Sequence, residues 1–329
     1  SNSTRKTQTQ QPLAHTIKSS ILKRSLRSIP VLHTRRVHAT KQYLQPQPPA
    51  PGASKTQQTL PISIIRNMKT SSDCCKIVIL YGIGGLSDVG RHAILAALEK
   101  KEPAIDKITV ITEYPEKLEE KNWECNCPGG HTNPFNDPTT ASKLEMVKID
   151  TWKNDQPNLS KHFVGASAVV SCLGHRQPGW KHKELIKRGL IAYDGNRQVI
   201  AAMEEAKVDR VVAISSFALN GDKSWPHLAS RLMAFLFKTF MRKSGKDLKK
   251  MEDAYIQSSL DYLFVKPVGI GEEVVPTGMY YLQEPGNKKD MVGGNMGKLD
   301  TALFMIDEAV NPTLHRCSQT VGAKPGTPI

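Results

Sequence analysis

The first 72 residues contain no aspartate or glutamate, whereas 12 of the chain's 45 lysines and arginines fall there. Positions 73–329 therefore hold the other 33 basic residues against 31 acidic ones, and all but +2 of the formal net charge of +14 belongs to the leader. A near-neutral remainder lacks the concentrated positive face of a nucleic-acid-binding domain, so no nucleic-acid partner is expected. Long hydrophobic runs are missing too. No stretch approaches the roughly 18 apolar residues that a spanning helix requires, so no integral membrane segment is expected. Cysteine is sparse, with 6 in 329 residues, and its scatter fits a reducing compartment rather than a disulfide framework. Cys125, Cys127 and His131 are the one cluster with metal-ligand chemistry. They lack the two-residue gap and the fourth ligand of a zinc site, and read as a surface loop, with no metal expected.

What the leader does contain is Ser, Thr, Gln and Pro, with Gln45-Pro46-Gln47-Pro48-Pro49 and Pro51-Gly52 near its end. Such a segment cannot bury enough apolar surface to offset the entropy of ordering it, so residues 1–72 are expected to be a disordered leader. An acid-free, Arg- and Ser-containing N-terminus has the composition of an organelle transit peptide. Thr16 to Ser28 would form a basic amphipathic helix, with Ile17, Ile21, Leu22 and Leu26 opposite Lys18, Lys23 and Arg27. On that reading the protein is directed to a chloroplast or mitochondrion; otherwise it is cytoplasmic. Two alternatives stand beside it: a plain tail, or a segment outside the translated protein, since the first Met is Met68.

From residue 73 to 329 the pattern becomes regular. Apolar runs at Lys76–Tyr81, Ile108–Thr112, Glu145–Ile149, Ala168–Leu173, Arg210–Ser215 and Asp261–Val265 read as strands buried on both faces. Helical stretches lie between them, at Val89 to Lys101, Lys183 to Ala206 and within Pro226 to Ser258. Strands alternating with helices specify an α/β fold, a Rossmann doubly wound parallel sheet with helices on both faces. Ligands bind such a sheet beyond the carboxyl ends of its strands, which directs attention to Gly82, Glu113, Asp150, Gly174, Ser216 and Pro267. Glu119 to Ser142 reads as an inserted loop. The tail from Gly271 is expected to be a small, irregular substrate-side region with one helix, Lys298 to Val310, and short closing strands. Trp180 to Arg188 is a basic run that reads as an exposed helix face.

Between the first strand and first helix stands Gly82-Ile-Gly84-Gly85-Leu-Ser-Asp-Val-Gly90. A helix N-terminus presents unpaired N–H groups and partial positive charge, and glycines let that backbone approach a pyrophosphate. The strand–turn–helix setting is what the motif demands; the alternative is a turn that binds nothing. Asp88 inside it reads as the helix N-cap.

Asn196–Met203, Val208–Ser216, Ser258–Pro267, Pro276–Tyr280 and Leu299–Met305, in this order over roughly 250 residues, resemble an atypical short-chain dehydrogenase/reductase. The likeness is to the NmrA-like NAD(P)H-binding group, and within it to the flavin reductase/biliverdin-IXβ reductase type. It implies that the group's Gly-x-x-Gly-x-x-Gly turn falls on Gly82, Gly85 and Gly90, with a last gap two residues longer here. NADPH-using members place an Arg where this chain has Glu113. A carboxylate there would bond a free ribose 2′-hydroxyl and repel a 2′-phosphate, which favours NAD over NADP, with Arg91 and Lys117 as partial offsets. The superfamily's Tyr-x-x-x-Lys pair has one formal match, Tyr262 and Lys266, but it lies on a strand and reads as coincidence. The group's Ser facing nicotinamide and substrate falls on Ser216; capping of the next segment is the competing role. Its His after the sixth strand is absent, since Val268 and Gly269 follow Pro267. Lys249, Lys250 and Glu252 read as a solvated helix face. The implied activity is hydride transfer from NAD(P)H to a small planar acceptor such as a flavin or tetrapyrrole. A non-catalytic dinucleotide-binding redox sensor or assembly factor fits the same residues.

Overall fold

A computed structural model describes residues 75–327, apart from 83–87, 121, 124–130, 175–189, most of 218–241, 272–273, 285–286 and 288–290. The chain divides into two units, Ser1–Arg66 and Asn67–Ile329. The first lies outside the described residues, and with it the leader and its amphipathic stretch.

In chain order the second unit runs β1 (Lys76–Tyr81), α1 (Val89–Glu99), β2 (Lys107–Thr112), α2 (Pro115–Leu118), β3 (Asn122–Trp123), β4 (His131–Thr132), α3 (Pro138–Ala141) and β5 (Leu144–Lys148). It continues with β6 (Ala168–Cys172), α4 (Ala192–Ala206), β7 (Arg210–Ile214), α5 (Arg242–Gln257), β8 (Asp261–Pro267), β9 (Tyr281–Leu282), α6 (Lys298–Val310) and β10 (Cys317–Gly322). The main sheet has the order β5-β2-β1-β6-β7-β8-β10-β9. Every pairing from β5 to β10 is parallel, and only β9 is antiparallel. The chain builds outward from β1 to one edge, then returns to the other side at β6. That reversal opens a crevice beyond the carboxyl ends of β1 and β6, where ligands of doubly wound sheets bind.

The strands are buried on both faces because alternate side chains enter two cores. Val78, Leu80, Val169, Val211, Ala213 and Phe264 face a core shared with α4 and α5. Ile77, Ile79, Val170, Val212, Ile214 and Val265 face one shared with α1 and α6. Continuous apolar runs rather than alternation are therefore what these strands need.

Three expectations change in detail. The tail is more regular than its sequence suggests, since β10 adds a seventh parallel strand against β8. The segment 119–142 is more than a loop: β3 and β4 pair as a short hairpin, and Trp123 and Asn133 are buried. The helix expected from Lys183 begins, among the described residues, at Ala192; the basic run at 180–188 lies outside them.

The position of α1 is set by Gly90. A Cβ there would stand 2.7 Å from Tyr81 Cδ2 and 3.4 Å from Cys172 Cβ, on the two strands that flank the crevice. Gly90→Ala is expected to cost about 1–3 kcal/mol through overpacking. Urea denaturation checks this; an unchanged midpoint would show that the helix does not need this close approach.

Candidate functional site

The glycine turn leaves β1 at the buried Gly82 and re-enters the described residues at Asp88; Gly84 and Gly85 lie outside them. The first turn of α1 carries no acidic residue. Asp88 occupies the N-cap position but makes no side-chain capping bond, which corrects the expected role. The physical reason is its helical backbone, φ −64° and ψ −19°, where a capping side chain needs the extended region. Its carboxylate instead lies 3.3 Å from Lys298 Nζ at the start of α6. The amide end of α1 thus faces the crevice with its nearest acid already paired with a cation. With the close approach at Gly90, this arrangement suits a pyrophosphate.

The ends of β2 and β5 are tied together. Ile149 N–H donates to Thr112 O at 3.0 Å, and Trp152 N–H donates to the Glu113 carboxylate. Glu113 therefore stands at the carboxyl end of β2, as expected, and also fixes the loop after β5. Asp150 is exposed on that loop. Gln198 of α4 anchors the same loop by donating to Trp152 O at 2.7 Å and accepting from Gln156 N–H at 2.9 Å.

Arg91, at the start of α1, reaches α2 and the segment after it. It donates to Lys117 O at 2.5 Å and pairs with Glu120 at 2.9 Å. Its guanidinium lies 5.8 Å from the Trp123 ring centroid and also contacts the Tyr81 hydroxyl. Burial pushes the Tyr81 pKa up to about 12, against the opposing pull of the Arg91 charge.

On the other side of the crevice, Gly174 follows β6 and is buried. Ser216 follows β7, is 8% exposed, and opens a turn closed by Leu219 N–H donating to its carbonyl at 3.0 Å. Pro267 ends β8 and is buried. The topology thus brings Gly82, Glu113, Asp150, Gly174, Ser216 and Pro267 to one end of the sheet.

Sequence reasoning missed two buried polar groups beneath these ends. Asn196 Oδ1 accepts from both Ser171 Oγ and Tyr255 Oη at 2.7 Å, and its amide donates to Ala192 O. Burial pushes the Tyr255 hydroxyl well above its ordinary range. Glu252 Oε1 accepts from Ser215 Oγ at 2.6 Å and lies 3.3 Å from Lys266 Nζ. Ser215, Glu252 and Lys266 are all buried, so the reading of Glu252 as part of a solvated face is wrong. Lys249 does face solvent, paired with Asp253. The missed signal was Lys266, a charge inside the apolar run of β8 that must find a buried partner, which Glu252 on α5 supplies. Tyr262, by contrast, is four strand residues from Lys266, about 13 Å along the strand. Its ring stacks on Phe264 with centroids 4.7 Å apart, and the guanidinium carbon of Arg316 lies 5.1 Å from the Tyr262 ring centroid, so the two do not form a dyad. Among the described residues no group of three metal-ligating side chains occurs; Cys125 and Cys127 lie outside them. No described helix is long and apolar enough to cross a membrane.

A buried ion pair is costly to break by halves. Lys266→Met is expected to lose about 3–5 kcal/mol by stranding Glu252, whereas Lys266→Met with Glu252→Leu should recover most of that loss. Denaturant unfolding of the single and double variants measures this; simple additivity would contradict the pairing.

A family model described as NAD(P)H-binding matches residues 131–312. The search of curated proteins gives no match. Among solved structures, a short-chain dehydrogenase/reductase from Veillonella parvula in complex with NADP is 16% identical, with 78% of this chain and 97% of that chain covered and a TM-score of 0.52. A candidate NAD-dependent epimerase/dehydratase from Bacillus halodurans is 17% identical, with 76% and 96% covered and a TM-score of 0.50. At these identities the structures show the shared fold alone. The family match begins after β2, so Gly82, Gly90 and Glu113 rest on topology and geometry. It spans more than half of the chain, with the doubly wound sheet order around it: the chain belongs to the NAD(P)H-binding family and has a Rossmann-type fold.

Proposed function

We propose that this protein is an NAD(P)H-dependent reductase that passes a hydride to a small planar conjugated acceptor, a flavin or tetrapyrrole in chemical class. The observation that carries the reading is the crevice at the β1/β6 reversal, faced by a helix N-terminus whose nearest acid is paired and, among the described residues, by a serine rather than an acid–base dyad. A bound reduced nicotinamide supplies the hydride, and stacking two rings in register asks little proton chemistry of the protein. Gly82, Gly84, Gly85 and Gly90 would hold the pyrophosphate end. Asp150 and Gly174 would line the adenosine side, and Pro267 the far wall. Ser216 would orient a carbonyl or ring nitrogen of the acceptor, with protons drawn from water.

The far side of the crevice suits an apolar acceptor. The stretch after β8 is pinned to the start of α6, where Asp300 accepts from Thr277 N–H and from Gly278 N–H at 2.8 Å. On either side of this anchor Val275 and Met279 stand exposed, at 55% and 52%. Apolar side chains held out on an anchored stretch are a suitable lip for a ring system.

For the cofactor we infer a preference for NADH, with Glu113 accepting from the ribose 2′-hydroxyl. Glu113→Arg is expected to move the affinity ratio toward NADPH; an unchanged ratio would remove Glu113 from the site. The activity is tested by NADH and NADPH oxidation with a panel of flavins, quinones and linear tetrapyrroles, beside equilibrium binding of both dinucleotides. Turnover on a planar acceptor is expected. Tight binding without turnover on any acceptor would replace the reductase with the non-catalytic sensor, and absence of binding would sink both.

A further inference from the structure

The glutamate at the end of β2 is not the only acid near the expected ribose position. One helical turn further on, the Glu120 carboxylate bridges two cations, with Oε2 at 2.9 Å from Arg91 Nη2 and Oε1 at 2.7 Å from Lys117 Nζ. These are the very cations that would otherwise hold a 2′-phosphate. Arg91 connects the start of α1 to α2, since it also donates to Lys117 O at 2.5 Å. The cluster therefore lies where the helix after β1 meets the segment after β2, the corner in which a dinucleotide places its adenosine ribose. The Arg91 side chain is 15% exposed, and its Nε is buried with no partner among the described residues. Glu120 is the carboxylate paired with it among the described residues, and the two cations hold the Glu120 carboxyl below its ordinary range.

We propose that Glu120 is a second cofactor-specificity residue, a built-in carboxylate that occupies the Arg91–Lys117 pair and so excludes the 2′-phosphate of NADPH. The inference rests on the dinucleotide reading above. A phosphate entering this corner meets two carboxylates, Glu113 and Glu120, and must displace Glu120 to reach either cation. A free 2′-hydroxyl leaves the bridge intact. Arg91 and Lys117, taken from sequence as partial compensation for Glu113, become part of the exclusion instead.

The test is equilibrium binding of NADH and NADPH to the full chain and to Glu120→Gln. The substitution keeps the shape of the side chain, and the backbone at Glu120 is held separately by Asn133 Nδ2 donating to its carbonyl at 2.8 Å. NADPH affinity is expected to rise about tenfold, while NADH affinity changes less than about twofold. Glu116→Gln, an exposed acid on α2, controls for net charge and should leave the ratio unchanged. Lys117→Met keeps Glu120 and removes one cation, so it should move the ratio the other way; it also carries the test if Glu120→Gln fails to fold. An unchanged ratio in Glu120→Gln, or an equal shift in Glu116→Gln, overturns the proposal and leaves the cofactor reading standing. Failure of the wild-type protein to bind either dinucleotide overturns the reading itself, and this proposal with it.

Discussion

The docking of α1 against β1 and β6 is the contact on which the rest depends. Tyr81 and Cys172 close the floor of the crevice, and α1 can cross above them only because position 90 has no side chain. That crossing aims the helix amides at the space beyond the strand ends. It also places α1 beside α6, so that Lys298 meets Asp88. Anion affinity at this end, on the proposed reading, comes from backbone groups beside charge already paired, which costs no reorganisation when a phosphate arrives.

The sheet carries buried charge at both ends of β7 and β8, and the two clusters differ in kind. At the amino end Arg210 pairs with Asp261 and Glu308 and donates to the carbonyls of Glu308 and Leu314, binding α6 and the segment before β10 to the sheet. Every partner belongs to the scaffold, and the end is remote from the crevice. At the carboxyl end Glu252 holds Ser215 and Lys266, the residues directly before Ser216 and Pro267. Apolar side chains of similar volume would pack there without the desolvation penalty of an ion pair. What the pair adds is a fixed arrangement of the two strand ends that form one wall of the site.

The strands and the crevice were legible because parallel strands buried on both faces must be apolar throughout, and because the strand–glycine–helix setting has few other uses. Glu113 was legible by position, though its bond to Trp152 N–H was not, since nothing local links residues 39 apart. Glu252 and Lys266 escaped for a related reason. On sequence a charged residue on a helix reads as solvated, and only the approach of α5 to β8 shows two charges meeting in the interior. The regularity of the tail was hidden too, because Cys317–Gly322 has a half-polar composition, and pairing with β8 rather than local propensity makes it a strand.

On the proposed reading, the region least described by any motif is the one that bears most on cofactor choice. Segment 119–142 begins where the common pattern ends, yet β3 and the residue after β4 are tied to the end of α2 by specific bonds. Trp123 Nε1 donates to Leu118 O at 3.2 Å, and Asn133 donates to the carbonyls of Leu118 and Glu120. These bonds fix the backbone around Glu120, and the Trp123 ring stands against the guanidinium of Arg91. An insertion that only lengthened a surface loop would need no such anchoring. Held in this way, it sets a carboxylate between Arg91 of α1 and Lys117 of α2, in the corner proposed for the ribose. The electrostatics of that corner are therefore set by the insertion as well as by the end of β2.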